Sequence, residues 1–204
     1  MIEFKEWPKT PRLNRDIVVT EKIDGTNSAV IIEPDVWVNP NLLAEYGAVA
    51  SFELGDTVYT VAAQSRNRLI FPGKTTDNYG FAQWVFANSE YLVEALGPGR
   101  HYGEWWGQGI ARKYGMDRKV FSLFNVERYA DLEQTDTLRL VPELYRGMFD
   151  QDEIQAALNR LAWDGSVAAP GFAKPEGVIV FHSAAQQVFK VTLENDGVPK
   201  ALAA

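Results

Sequence analysis

The sequence predicts an α+β fold, antiparallel β-sheets with a few flanking helices. Two observations carry that prediction. Short β-branched and aromatic runs recur at 17–22, 27–33, 58–64, 101–106, 119–126, 138–142, 177–182 and 187–193, separated by Gly, Pro, Asn and Asp. Helical periodicity, by contrast, shows only around 81–96 and from about 150 onward.

The first two runs flank Lys22-Ile23-Asp24-Gly25, and Asp-Gly between apolar runs reads as a hairpin turn. Phe81, Trp84, Val85, Leu92, Ala95 and Leu96 form one helical stripe, which stops at Gly97-Pro98. The second helix begins near Asp150, whose carboxylate can cap it while Glu153 reaches back, and it buries Ile154, Ala157, Leu158 and Leu161. In the strand around 101–106, Trp105 and Trp106 point to opposite faces, so one belongs to the core while the other can stack on a base. His101 and His182 fall in strands with no third ligand nearby, which argues against a metal role.

A chain of 204 residues without repeats, low-complexity tracts or linkers suggests one domain, 1–204, burying about 70% of its unfolded surface. The absence of cysteine excludes disulfides and thiolate metal sites, and it suits a reducing cytoplasm. Met1-Ile2-Glu3-Phe4-Lys5-Glu6-Trp7-Pro8 has no signal-peptide core, and no apolar run approaches the ~20 residues of a membrane span. The expectation is a soluble, cytoplasmic monomer with no membrane partner.

A net charge of −7 opposes nucleic-acid binding unless the cations are segregated. They cluster at Lys5, Lys9, Arg12 and Arg15, at Arg66, Arg68 and Lys74, and at Arg112, Lys113, Arg118 and Lys119, whereas acids concentrate between Glu127 and Glu153. A basic face with an acidic back would reconcile the two; an evenly solvated surface is the alternative.

Lys22 carries the chemical proposal. Gly25 lets backbone approach a phosphate closely, and a lysine beside it can act as a covalent nucleophile once its amine is neutral. An ordinary lysine, with a pKa near 10.4, is protonated at neutral pH, so neighbouring cations and partial burial would have to favour the neutral form. Four residues alone favour a hairpin with an exposed lysine, because Asp-Gly is the standard hairpin dipeptide. Further segments follow in order: Ser65-Arg66-Asn67-Arg68; Tyr102-Gly103-Glu104-Trp105-Trp106-Gly107-Gln108-Gly109-Ile110; Lys119 to Val126; Pro175-Glu176-Gly177-Val178-Ile179-Val180; and Phe189-Lys190-Val191-Thr192.

With these segments the chain resembles the covalent nucleotidyltransferases, the polynucleotide ligases and messenger-RNA capping enzymes, over motifs I, Ia, III, IIIa, IV and V from position 22 to 192. Within them it is most similar to small ATP-dependent RNA ligases of the RNA ligase 2 type, through the tract Tyr102 to Ile110. The resemblance implies a ligase-type, ATP-grasp-like nucleotidyltransferase core. It also implies that no OB-fold or other accessory domain follows, since only twelve residues remain after Thr192.

The resemblance further implies a set of roles. Lys22 attacks ATP to give lysyl-AMP, Asp24 orients the loop or holds a metal-bound water, and Glu21 reads the adenine amine through its carboxylate or carbonyl. Glu104 contacts the ribose, and Glu176 places Mg²⁺ or Mn²⁺; both carboxylates are candidate metal ligands, since magnesium prefers oxygen and keeps waters. Arg66 meets the ribose or 5'-phosphate. Phe121 stacks on adenine, although apolar alternation argues equally for a core strand. Asn27 holds the incoming 5'-phosphate or is an ordinary turn residue. Arg68, Arg112 and Lys113 are candidates for contacting nucleic acid.

Two departures stand out. Motif V usually holds two lysines one residue apart, whereas Lys190 has Val188 and Thr192 at those spacings, which leaves open whether it meets the α-phosphate or the leaving pyrophosphate. Asn125 stands where an aspartate is common. The expected function is ATP-dependent joining of 5'-phosphate and 3'-hydroxyl RNA ends, free or at a nick, with DNA or mixed strands as further candidates. A minimal DNA ligase, a capping-type guanylyltransferase and a non-catalytic nucleic-acid-binding relative are the alternatives.

Overall fold

A computed structural model describes residues 1–194, and the chain divides into two compact units. The first comprises residues up to Lys22 and those from Pro142 onward; the second comprises Ile23–Val141. The expectation that no further domain follows Thr192 bears on residues 195–204, which lie outside the described residues.

In the first unit, β1 (Asp16–Lys22), β9 (Glu143–Met148), β10 (Gly177–His182) and β11 (Gln187–Thr192) form an antiparallel sheet in the order β11-β10-β1-β9. The helix α3 (Gln151–Asp164) covers one face. Its Ala157, Leu158 and Leu161 bury Ile17 and Val19 of β1 and Val178 and Val180 of β10. Alternation then sends Val18, Thr20 and Lys22 to the opposite face. Asp150 caps α3 as expected, but its carboxylate accepts from the Asp152 N–H at 2.8 Å, one residue earlier than a box with Glu153 requires.

The second unit holds β2 (Thr26–Pro34), β3 (Ala50–Leu54), β4 (Thr57–Ser65), β5 (Leu69–Ile70), β6 (Gly99–Gly107), β7 (Lys119–Leu123) and β8 (Leu138–Leu140). The main path runs β3-β4-β2-β6-β7-β8, with β5 paired to β4. All its pairs are antiparallel except β7 with β8. Two helices, α1 (Phe81–Ala87) and α2 (Ser89–Leu96), bury Phe81, Val85, Leu92 and Leu96 with Val30, Ile32, Val61, Trp105 and Phe121.

The single helix expected over 81–96 is two. Asn88 separates them: its N–H and its side-chain amide both donate to Trp84 O, at 3.1 and 2.7 Å. An asparagine that competes for helical carbonyls in this way ends one helix and starts the next. Strands β3, β5 and β9 lack dense β-branched runs; they form because a neighbouring strand offers an edge to pair with.

Candidate active site

Lys22 ends β1 on the face opposite α3, directly across from Gly177 of β10. A Cβ at Gly177 would run into Val191 O and stand 2.7 Å from Thr192 Cα, so this position admits only glycine, and its φ of +150° agrees. Glu176, the residue before, accepts a hydrogen bond from the Lys22 ammonium, Nζ to Oε2 2.5 Å. Both side chains are about one-fifth exposed, which keeps this charge pair reachable by solvent and ligands.

Lys190 is exposed and shares that sheet face: it pairs with Ile179, which pairs with Thr20, while Lys22 lies one alternation further along β1. Two inter-strand steps of about 4.8 Å and two residues of offset separate the lysines, a gap that two long side chains can approach from both ends. Lys190 and Lys22 thus share one face of this sheet.

Glu21 points the other way, into the α3 side, and is 1% exposed. Its Oε1 accepts from Ser166 Oγ at 2.5 Å, and its Oε2 accepts from the Val167 and Ala168 N–H groups, each at 2.8 Å. Burial pushes its pKa above the ordinary carboxylate value, with the three donors opposing the rise. Both oxygens are committed to the loop before β10, so the carboxylate does not read an adenine amine. This corrects the expectation for that group.

In the second unit, the Asp24-Gly25 turn is tied down from three directions. The Gly25 N–H donates to Glu104 Oε1 at 3.0 Å, and the Asp24 N–H donates to Tyr114 Oη at 2.8 Å. Arg112 Nε lies 3.3 Å from Asp24 Oδ2. A Cβ on Gly25 would stand 2.5 Å from Trp105 O and 2.7 Å from Trp106 Cβ, so the close packing against β6 requires glycine.

The β6–β7 register sorts the other candidates. Glu104 pairs with Ser122 and with Asn27, placing all three on one face. Phe121 pairs with Trp105 on the other face, is 0% exposed, and has Phe81 at 5.0 Å and Trp84 at 5.8 Å between ring centroids. It is a core residue with no free ring face for a base, which corrects the adenine-stacking expectation. Phe124 continues the ladder, its N–H bonding Tyr102 O at 3.0 Å. Phe124 shares Glu104's face, and it is 39% exposed. Strand alternation puts these two phenylalanines on opposite faces, and the packing of Phe81 and Trp84 decides which face is core.

Trp105 and Trp106 are both buried. Trp105 joins the aromatic core, and Trp106 donates to Ser122 Oγ at 2.9 Å beneath the edge of Tyr114. Neither has a free ring face to stack on nucleic acid. The histidines are interior as well: His101 bonds Tyr129 Oη at 2.7 Å and Gly97 O at 2.9 Å, and His182 bonds Leu13 O at 2.7 Å.

The expected basic face loses several members to internal partners. Arg112 serves Asp24, Arg118 pairs with Asp117 and Asp136, and Lys119 donates to Tyr79 O at 2.6 Å. Arg112 is thus part of the turn's framework. Arg66, Arg68 and Lys113 are exposed, and of these Arg68 also donates from Nη1 to Thr76 O at 3.2 Å. Arg66 and Arg68 project from the β4–β5 turn, which Ser65 closes through its N–H and Oγ to Arg68 O.

Glu176 and Glu104 offer hard oxygen donors, and among the described residues no three His, Cys, Asp or Glu side chains gather into a metal cage. Either carboxylate taken by itself fits magnesium or manganese held together with phosphate oxygens and water, because such ions dehydrate reluctantly. The Lys22 ammonium already shows that Glu176 can face a cation.

The RNA ligase family model matches residues 15–192. Among solved structures, an RNA ligase mutant from Naegleria gruberi with ATP and Mn matches at TM-score 0.57 and 17% identity, covering 89% of this chain and 51% of that one. A second mutant of that ligase, with AMP and Mn, gives 0.57 and 16%, covering 88% and 50%. An apo mutant of a Naegleria gruberi RNA ligase gives 0.55 and 19%, covering 88% and 50%. At these identities the likeness is one of fold, and the chain spans about half the length of those proteins. Comparison with curated protein sequences gives no match. The family model covers most of the chain, which therefore belongs to the RNA ligase family.

Proposed function

We propose that this chain is an ATP-dependent RNA ligase joining 5'-phosphate and 3'-hydroxyl ends. The observation that carries the reading is Lys22, held at the end of a strand with the Glu176 carboxylate 2.5 Å from its amine and followed by a glycine turn closed by Glu104. In the first step the neutral Nζ attacks the α-phosphorus of ATP. The N–P bond forms, the bond to the bridging oxygen breaks, pyrophosphate leaves with the electron pair, and the nitrogen gives a proton to solvent. A 5'-phosphate oxygen then displaces the lysine, which regains its proton, leaving AMP on the RNA end. Finally the 3'-hydroxyl attacks that 5'-phosphorus, loses its proton and expels AMP.

The side chains divide this work. Lys190 neutralises phosphate on the Lys22 face. Glu104 holds the turn and meets the ribose, Asn27 beside it takes the 5'-phosphate, and Arg66 takes the ribose or that same phosphate. Phe124 offers its exposed ring to the adenine. Glu176 in the first unit and Glu104 in the second are each a candidate to hold a divalent ion, which when bound supplies the positive charge that triphosphate chemistry needs. Arg68 and Lys113 meet the nucleic-acid backbone. Residues 1–204 act as a monomeric adenylyltransferase core in the cytoplasm. Among the described residues no helix is long and apolar enough to cross a membrane.

The test is labelling with α-³²P-ATP and magnesium. A label on the Lys22 peptide and sealing of a nicked RNA duplex are expected. Labelling by GTP alone, or no adduct with either nucleotide, would overturn the reading.

A further inference from the structure

We infer that Tyr114 is a positioning residue for the nucleophile, acting through the peptide that follows Lys22; this rests on the ligase reading above. Tyr114 is 3% exposed, and its phenol oxygen accepts the Asp24 N–H at 2.8 Å across 90 residues of sequence. Its ring lies edge-on to Trp106, centroids 5.0 Å apart at 74°, and Trp106 is itself anchored on Ser122. A rigid path therefore runs from the strand β7 through two aromatic rings to the Asp24 peptide. Lys22 is two residues away along the chain.

The loop that presents Tyr114 is strained. Ala111, Lys113 and Tyr114 have φ of +42°, +60° and +50°, the left-handed region that non-glycine residues rarely adopt. Such geometry persists only where the surroundings over-determine it. Here it aims two side chains, Arg112 and Tyr114, at one residue, Asp24, whose carboxylate and amide they respectively take. With Gly25 closed by Glu104, the turn after the nucleophile has a partner on each of two successive N–H groups. Without the phenol oxygen the Asp24 N–H loses this partner while the Arg112 and Glu104 tethers remain, and an attacking group displaced by about 1 Å loses on the order of a hundredfold in rate.

The test is Tyr114→Phe, which deletes one oxygen and keeps the ring against Trp106. Three readouts are needed: lysyl-AMP formation at varied ATP, sealing of a nick whose 5'-end already carries AMP, and the melting temperature. We expect single-turnover adenylylation to fall about 10- to 100-fold, with the apparent KM for ATP within about twofold. Sealing of the pre-adenylylated nick, in which Lys22 is not the nucleophile, should stay within about threefold of wild type. Wild-type adenylylation in the variant, equal loss of both steps, or a raised KM at unchanged rate would each overturn the inference. Should Tyr114→Phe fail to fold, Arg112→Gln removes the second tether at a side chain one-quarter exposed, and the same selective loss is expected. A wild-type protein that takes no label from ATP would instead overturn the ligase reading and this inference together.

Discussion

Lys22 Nζ and Glu176 Oε2 are 2.5 Å apart, joining the end of one strand to the residue before its neighbour, 154 positions later. At about one-fifth exposure each, the pair adds little stability, on the order of 1 kcal/mol or less. Its value is placement: the carboxylate holds the amine beside Gly177, where no side chain intrudes. Lys22→Ala should therefore abolish labelling by ATP while the melting temperature stays within a few degrees. Label mapped to another lysine of that variant would refute the assignment.

Gly25 admits no side chain, because a Cβ would meet Trp105 O at 2.5 Å and Trp106 Cβ at 2.7 Å. Gly25→Ala should displace the turn from Glu104 and reduce adenylylation at least tenfold. Sealing of a pre-adenylylated nick is the control, and it should suffer less.

The two phenylalanines of motif IIIa should separate cleanly. Phe121→Ala empties a core position and should destabilise the fold by about 3–5 kcal/mol, seen as a lower urea midpoint. Phe124→Ala, at a 39% exposed side chain, should leave that midpoint near wild type and raise the KM for ATP. The reverse pattern would return the adenine-stacking role to Phe121.

His101 predicts an acid-side loss of stability. Burial, aided by Arg128, lowers its pKa to about 4 from an ordinary 6.5. Between those values the unfolded chain binds more protons than the folded one. Its contribution is therefore fully present above about pH 6.5 and lost as pH falls toward 4. Glu21 has the opposite sign: with its folded pKa raised, its contribution is fully present below an ordinary 4.5 and is lost as pH rises through the folded value. Urea midpoints at pH 5 and pH 7 should differ more for wild type than for His101→Gln.

Arg66 and Arg68 project from an exposed turn, whereas Arg112 is spent on Asp24. Neutralising Arg66 and Arg68 together should reduce the dependence of log Kd for RNA on log salt by about 1–2. Arg112→Gln should change that slope little and slow adenylylation. An unchanged slope in the Arg66/Arg68 variant would place the RNA elsewhere.

Much of this protein was legible along the chain. Strand periodicity located β1, β2, β4, β6, β7, β8, β10 and β11, and the ordered motifs pointed to the RNA ligase family. Both signals are local, because a two-residue alternation or a tetrapeptide needs no distant partner to be recognised. The tertiary structure decided what depends on a partner. Phe121 and Phe124 are the same residue type three positions apart, and only the packing of Phe81 and Trp84 makes one core and leaves the other open. Glu21 adjoins the nucleophile in sequence, yet Ser166, Val167 and Ala168 claim its carboxylate. Arg112 reads as a free cation until Asp24 is found beside it, and Tyr114 carries no motif at all. Strand pairing across many residues creates these contacts, and a one-dimensional pattern holds no record of which side chains will meet.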